Sequence, residues 1–317
     1  MAHELVTEYG QIVDAKLRAS LVTKDNVIFN TYYEGVPTAG AVKIPVRDGE
    51  AVVADYNKTA LANNGIKYGS TGYITAVISQ DKYVNEYIDG YEAEAVPDNL
   101  VADRLDSAGY SLANTEDSHA LQTLVNGAKG KTYDGVAFSD IRLGLAGTNI
   151  NKTITKSNVY EVFVDMMVAL DEAKVPAEGR YAIVSPAVYA MILQDSNFIR
   201  QAQLSQELLM TGAVGMIAGF ILYKSNKLAA LNMAAIAGHP SFATRIDAWK
   251  VEPKLVDLTG DMNVVGGSAV KGRFIYTHEV TKPQAFAYVE IPTQSGGSSG
   301  GTDNESGSGE STGSGTE

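Results

Sequence analysis

The chain has 317 residues, 45% of them hydrophobic, with 37 acidic against 25 basic side chains and no cysteine. That is enough apolar material for a sizeable core, and the net charge of −12 argues against a protein that grips nucleic acid through its phosphates. Disulfides and thiolate metal sites are excluded, no apolar run approaches the ~20 residues of a membrane-crossing helix, and Met1-Ala2-His3-Glu4 does not begin a secretory signal. Synthesis in a reducing cytoplasm is the expectation.

In chain order, Glu4–Leu21 predicts a modest helix, followed by Asn26-Val27-Ile28-Phe29-Asn30. Such a terminal segment has little core of its own and is expected to lie against another part. Val42-Lys43-Ile44-Pro45-Val46, a turn at Asp48-Gly49, Val52-Val53-Ala54 and Tyr73–Ile78 read as strands, Asp-Gly being a hairpin signal. Between them Asn57–Gly72 is rich in glycine and asparagine. A long two-stranded arm therefore fits better than a compact sheet, and an isolated hairpin needs a cover. Pro97-Asp98 predicts a helix with Asp98 as N-cap, running to about Gly127 and spanning roughly 45 Å. Val101, Leu105, Ala108, Leu112, Ala113, Ala120, Leu121 and Leu124 drift slowly round it, and Gly109 inside costs about 1 kcal/mol relative to alanine.

The stretch from Asn158 to Asn226 has the densest structural logic. Asn158 and Glu161 are spaced as a capping box. Val159, Val162, Phe163, Met166, Met167 and Leu170 then recur at helical spacing. Pro176 and Gly179 stop the helix, and Arg180 leads into the buried strand Tyr181–Val184. Ser185-Pro186 opens a second helix, with proline at its tolerated first turn, through Tyr189, Met191, Ile192 and Leu193. Gly212, Gly215 and Gly219 lead into another buried strand, Phe220–Tyr223, where glycine serves close packing or φ > 0. Beyond it, Ala229–Ala237 reads as a short apolar helix. Ala243–Leu258 and Gly272–Ile291 read as strands, the second interrupted by Thr281-Lys282-Pro283. From Thr293 the composition collapses to Gly, Ser, Thr, Asp and Glu, so this tail is expected to be disordered and dispensable for folding.

Chemistry-bearing patterns are sparse. His3, His119, His239 and His278 stand in no metal-binding spacing, and His239 before Pro240 reads as a turn residue. Gly296-Gly297-Ser298-Ser299-Gly300 matches a hydrolase elbow only by chance, lacking apolar flanks. Gly212, Gly215 and Gly219 have neither dinucleotide-loop spacing nor a phosphate-loop lysine. Asp89, Glu92, Glu94 and Asp98 read as charges favoured at a helix start rather than a calcium loop. Arg180 could anchor an ion pair between subunits, and the 17 tyrosines suit half-buried subunit contacts or an ordinary β-rich protein. No catalytic residue and no cofactor or metal site is assigned.

Val175-Pro176-Ala177-Glu178-Gly179-Arg180-Tyr181, Val184-Ser185-Pro186-Ala187-Val188-Tyr189, Gly215-Met216-Ile217-Ala218-Gly219-Phe220 and Ser225-Asn226 resemble tailed-phage major capsid proteins, in the P22-like and N4-like branch of the HK97-type fold. Asp81-Lys82-Tyr83-Val84-Asn85 and Ile88-Asp89 agree, as do Leu112-Ala113 and Asp117 in the long helix; the resemblance covers roughly residues 40–290. It implies an α+β HK97-type capsid fold with an N-terminal arm (1–40) and an extended β-hairpin E-loop (41–80) that lies over a neighbouring subunit. A P-domain with its spine helix (81–150, helix about 98–127) would follow, then an A-domain (151–240), further P-domain strands (241–265), A-domain or C-terminal strands (266–292) and the acidic tail (293–317). Pro176, Gly179, Arg180, Ser185, Pro186, Gly215 and Gly219 would have structural roles.

The function implied is a non-enzymatic major capsid protein of the virion, made in the bacterial host cytoplasm. It would assemble with itself as pentamers and hexamers into an icosahedral head around double-stranded DNA, without sequence-specific binding or a membrane. Scaffolding, portal and decoration proteins are implied partners, and an acidic inner wall would avoid sticking to DNA. Some related capsids weld subunits through a Lys-Asn bond; Lys58 and Lys67 are available here, but no partner or catalytic glutamate matches, so that activity is not carried over. An encapsulin-like nanocompartment shell is the alternative on the same fold, and a soluble hydrolase the alternative outside it.

Overall fold

The computed structural model describes residues 2–47, 53–56, 58–59, 71–88, 99–130, 145–195, 215–258, 260 and 266–291. The terminal tail, the acidic cluster at 89–98, the Gly-x-Ser-x-Gly match, the Asp48-Gly49 turn, Lys67 and Gly212 lie outside the described residues.

Helix α1 (Ala2–Ser20) carries Val13 and Leu17 one turn apart, and both are buried together with Leu21 just beyond its end. They face the long helix α2 (Asn99–Ala128), which runs unbroken through Gly109. The glycine is required by the crossing. A Cβ at position 109 would sit 2.8 Å from the Val13 carbonyl oxygen and 3.1 Å from Lys16 Cβ.

Strands β1 (Ala41–Arg47) and β2 (Thr71–Val77) form an antiparallel hairpin with Val42 opposite Ala76 and Ile44 opposite Ile74. The expected partner segment at Val52–Ala54 is not the one used: Val53 and Ala54 lie in no strand and Val53 is 93% exposed. The inward residues Val42, Ile44, Ile74 and Ala76 pack on Ile246, so the base of the arm belongs to the chain's own core.

Two residues after β2 the chain enters β3 (Gln80–Ile88), a strand without the apolar alternation that announces one. It forms the edge of a three-stranded antiparallel sheet, β3-β10-β9, with β9 spanning Ala243–Asp257 and β10 Ser268–Val280. Gly272 opens the β10 bulge, where a Cβ would meet Pro253 and the Trp249 ring at 3.1–3.2 Å.

The remaining strands make a six-stranded mixed sheet. Its members are β4 (Thr148–Asn149), β5 (Tyr181–Val184), β6 (Met216–Ile217), β7 (Phe220–Lys224), β8 (Met233–Gly238) and β11 (Ala287–Glu290), in the order β4-β11-β8-β5-β7-β6. Every residue of β5 and β8 is buried, as befits central strands covered on both faces. Their core is shared with α3 (Val159–Glu172), α4 (Pro186–Gln194) and the C-terminal half of α2. The helix expected at Ala229–Ala237 shrinks to one turn, α5 (Lys227–Ala230); the alanine-rich remainder is β8, held between β5 and β11. Pairing partners override alanine's helix preference here. The 266–292 stretch, expected as one unit, divides: β10 pairs with β9 and β3, and only β11 joins the six-stranded sheet.

The capping box at Asn158 does not form. Asn158 Oδ1 accepts from the Thr155 amide at 2.7 Å, Glu161 pairs with Lys152 at 2.7 Å, and no side chain caps α3. Ser185 caps α4 as expected, its Oγ accepting from the Val188 amide. Ala218 and Gly219, with φ of 46° and 82°, are the two-residue turn that joins β6 to β7. Nothing lies within 4 Å of a Cβ at Gly219, so its role is positive φ rather than close packing. Gly219→Val is therefore expected to cost about 1–3 kcal/mol through backbone strain, and Gly219→Asn much less, in denaturant unfolding. Equal stability of the two variants would remove that explanation.

Candidate functional site

Two features of the surface and one of the interior bear on function. The outward face of the β1–β2 hairpin presents Lys43, Tyr73 and Val77, and the outward face of β3 presents Asp81, Tyr83 and Tyr87, with Tyr83 at 78% exposure. Tyr32, Tyr56 and Tyr110 are also exposed. Among the described residues, the outer edges of β2 and β3 have no partner strand.

The interior feature is a polar cluster at the seam of four segments. Arg245 on β9, 1% exposed, donates from Nη1 to Asp25 at 2.9 Å, from Nη2 to Thr23 Oγ1 at 2.7 Å and from Nε to His278 Nε2 at 3.2 Å. Its guanidinium lies 5.4 Å from the centre of the Phe29 ring. Glu116 on α2, fully buried, comes within 3.1 Å of Arg245 Nε and 3.7 Å of His278, yet neither carboxylate oxygen has a hydrogen bond of good geometry. Next to it, Asp117 accepts from the Val22 amide at 2.8 Å, from the Thr23 amide at 3.0 Å, and from the Thr23 hydroxyl. Asn30 joins the same seam, with Thr244 Oγ1 donating to its Oδ1 at 2.9 Å. The segment after α1 is thus stitched to α2 and β9 by charge-assisted hydrogen bonds.

Burial pushes the Glu116 carboxyl up to about 7, with Arg245 pulling against it. Burial also raises Asp247, against Arg18 and Arg245. Burial, Arg245 and His119 together hold His278 well below the usual histidine range. The two leading shifts act oppositely on stability. An acid raised from roughly 4.3 to about 7 makes the fold lose stability as pH rises through that window. A histidine depressed below roughly 6.5 makes it lose stability as pH falls under that value.

The residues singled out from sequence fall elsewhere. Arg180 is not at the surface: it is buried, and donates to Asp171 at 2.6 Å, to the Val175 carbonyl at 2.6 Å and to the Pro176 carbonyl at 2.8 Å. It fastens the turn after α3 within its own chain. Gly179 and Gly215 have φ of 77° and 144°. Pro186 occupies the first turn of α4. His239 is a turn residue, accepting from the Ser241 amide and contacting the Glu178 carbonyl at 2.9 Å. Lys58 is exposed. Among the described residues, no group of three or more His, Asp or Glu side chains is placed to hold a metal ion. Glu116, Arg245 and the histidine pair were missed, although a carboxylate four residues after Leu112 and four before Ala120 stands on the apolar face of α2.

Residues 75–289 match the family model of phage capsid proteins. The fold is similar to that of a cyanophage P-SCSP1u capsid structure, at TM-score 0.59 and 14% identity, covering 83% of this chain and 85% of that one. A Mycobacterium phage Che8 structure matches at TM-score 0.55 and 20% identity, covering 82% and 88%. A virus-like particle from Pyrococcus furiosus matches at 0.52 and 15%, covering 90% and 100%. A search among curated protein sequences finds no match. The mixed helix-and-sheet architecture is that of HK97-type capsids, and the family match spans α2 and most of both larger sheets. The chain belongs to the phage capsid protein family, as a structural subunit of a capsid shell rather than an enzyme.

Proposed function

We propose that the chain is the major subunit of a tailed-phage head of the P22-like and N4-like branch. Many copies, as pentamers and hexamers, would close into an icosahedral shell around double-stranded DNA. The family match over residues 75–289 carries this reading. In these terms α1 and the segment after it are the N-terminal arm, and the β1–β2 hairpin is the base of the E-loop. Helix α2 with the three-stranded sheet forms the P-domain, and the six-stranded sheet with α3 and α4 forms the A-domain. Exposed tyrosines and unpaired strand edges suit repeated, individually modest contacts that close by rotational symmetry. The acidic balance suits a wall that encloses DNA without gripping it. Synthesis in the host cytoplasm, and scaffolding, portal and decoration proteins as partners, belong to the same reading.

A nanocompartment shell without DNA is the second reading, favoured by the fold likeness to the Pyrococcus furiosus particle. Electron microscopy of the expressed protein, with and without a co-expressed scaffold, is expected to show closed shells or polyheads. Monomers alone at high concentration would overturn both readings, and shells from infected cells that lack DNA would favour the second.

The hairpin provides a separate expectation. Its inward residues pack on Ile246, so removing Asn57–Gly69 spares the residues that make that contact. The deletion is expected to preserve circular dichroism and thermal unfolding of the subunit while sharply lowering shell yield. Unfolding of the subunit would place the deleted segment in the core instead.

A further inference from the structure

Arg245 dictates the protonation of two buried histidines. An arginine Nε–H can only donate, so His278 Nε2, 3.2 Å away, must accept. The neutral ring then carries its proton on Nδ1 and donates to His119 Nδ1 at 3.0 Å. His119 in turn carries its proton on Nε2 and donates to Ser79 Oγ at 3.3 Å, and Ser79 Oγ lies 3.4 Å from Thr277 Oγ1. This directional relay is complete only with both rings neutral. A proton on either ring sets Nδ1–H against Nδ1–H, or Nε2–H against Arg245 Nε–H.

Ser79 is one of the two residues between β2 and β3, and it is exposed. The relay therefore ties the root of the hairpin to α2 and β10. From these contacts we infer that the Arg245–His278–His119–Ser79 relay is an acid-sensitive latch that holds the base of the β1–β2 hairpin against the long helix. Acid turns a ring to relieve the facing donors, and turning His119 withdraws Nε2 from Ser79.

The surrounding charges do not offset this. Arg245 from β9 opposes a proton on His278, while Arg18 from α1 is paired with Asp14, Asp25 and Asp247. Of the carboxylates, Asp117 on α2 is committed to the Val22 and Thr23 amides, and Asp25 of the segment after α1 to Arg245. Asp247 on β9 faces Arg18 at 3.3 Å. Glu116 lies 3.7 Å from His278 but, buried, takes up its own proton before that ring does. Lys227 beside α2 contacts the Asn114 carbonyl. Tyr276 and Phe29 close the site with rings 5.5 Å from His119 and 4.9 Å from His278.

The test is hydrogen exchange by mass spectrometry on the full chain from pH 8 to pH 5, corrected for intrinsic rates, with residues 181–184 and 233–238 as internal reference. Protection of residues 71–79 is expected to drop at least tenfold across this range while the reference keeps its own. His119→Phe, which removes the bond to Ser79 and so uncouples the hairpin from either ring, should abolish the step. If that variant does not fold, Ser79→Ala decides: it should raise exchange at pH 8 and shrink the acid step. Nitrogen-15 spectra of the neutral rings should show His278 protonated on Nδ1 and His119 on Nε2. An unchanged step in either folded variant, a flat profile in the parent, or the reverse tautomers would overturn the latch.

Discussion

Arg245→Met is expected to destabilise the subunit by about 3–5 kcal/mol, more than any surface substitution, measured by urea unfolding of the unassembled chain. The side chain is 1% exposed and its guanidinium serves four groups at once: Asp25, Thr23, His278 and Glu116. Methionine replaces the volume but leaves Glu116 with no cation. The loss should grow with pH. In the parent, Glu116 already binds its proton up to about 7 because burial disfavours the carboxylate. Without Arg245 it holds the proton to higher pH still, so stability keeps falling beyond 7, where the parent has levelled off. A deficit that is the same at pH 6 and pH 8.5 would show that Glu116 does not depend on Arg245. The double variant Arg245→Met with Glu116→Leu should recover much of the loss, since replacing both members of a buried pair is far milder than orphaning one.

Gly147→Ala is the second large effect. A Cβ there would lie 2.4 Å from the Phe286 carbonyl oxygen, 2.9 Å from that of Pro283 and 3.2 Å from that of Ala128. All three are backbone atoms, so no rotamer change relieves the contact. The Gly147 amide also donates to the Ala128 carbonyl at 2.7 Å, and the next residues pair β4 with β11. The expected cost is at the upper end of about 1–3 kcal/mol, with increased exchange at Thr148 and Ile150, whose amides bond to Phe286 and Tyr288. Normal stability with an intact β4–β11 pair would refute the crowding argument.

These two sites also mark where sequence reading stops. Helices α1 to α4 and strands β5 and β7 were legible because one face, or a whole short run, is apolar and bounded by proline or glycine. The pairing of β1 with the distant β2 follows the long two-stranded arm expected there, although the Asp-Gly signal alone points to a local hairpin. Strand β8 was misread because half of Met233–Gly238 is alanine, and only its neighbours in the sheet make it extended. Strand β3 was passed over because Lys82, Val84 and Glu86 on its less exposed side do not form an apolar row. The polar cluster draws on residues 23, 116, 245 and 278, whose meeting depends on the tertiary path. The family resemblance located the fold and the function, and of this cluster it touched only Asp117.

The stitches that hold the N-terminal segment have a temporal consequence. Asp25 awaits Arg245, Asn30 awaits Thr244 and Asp14 awaits Trp249, separations of 220, 214 and 235 residues. At a synthesis rate of roughly 5–20 residues per second, the first thirty residues leave the ribosome on the order of ten to forty seconds before the strand that receives them. A nascent chain can therefore pack its N-terminal segment on α2 but cannot complete its docking until β9 has emerged. Translation itself delays the subunit's competence, and chains become able to join a growing shell only when nearly complete.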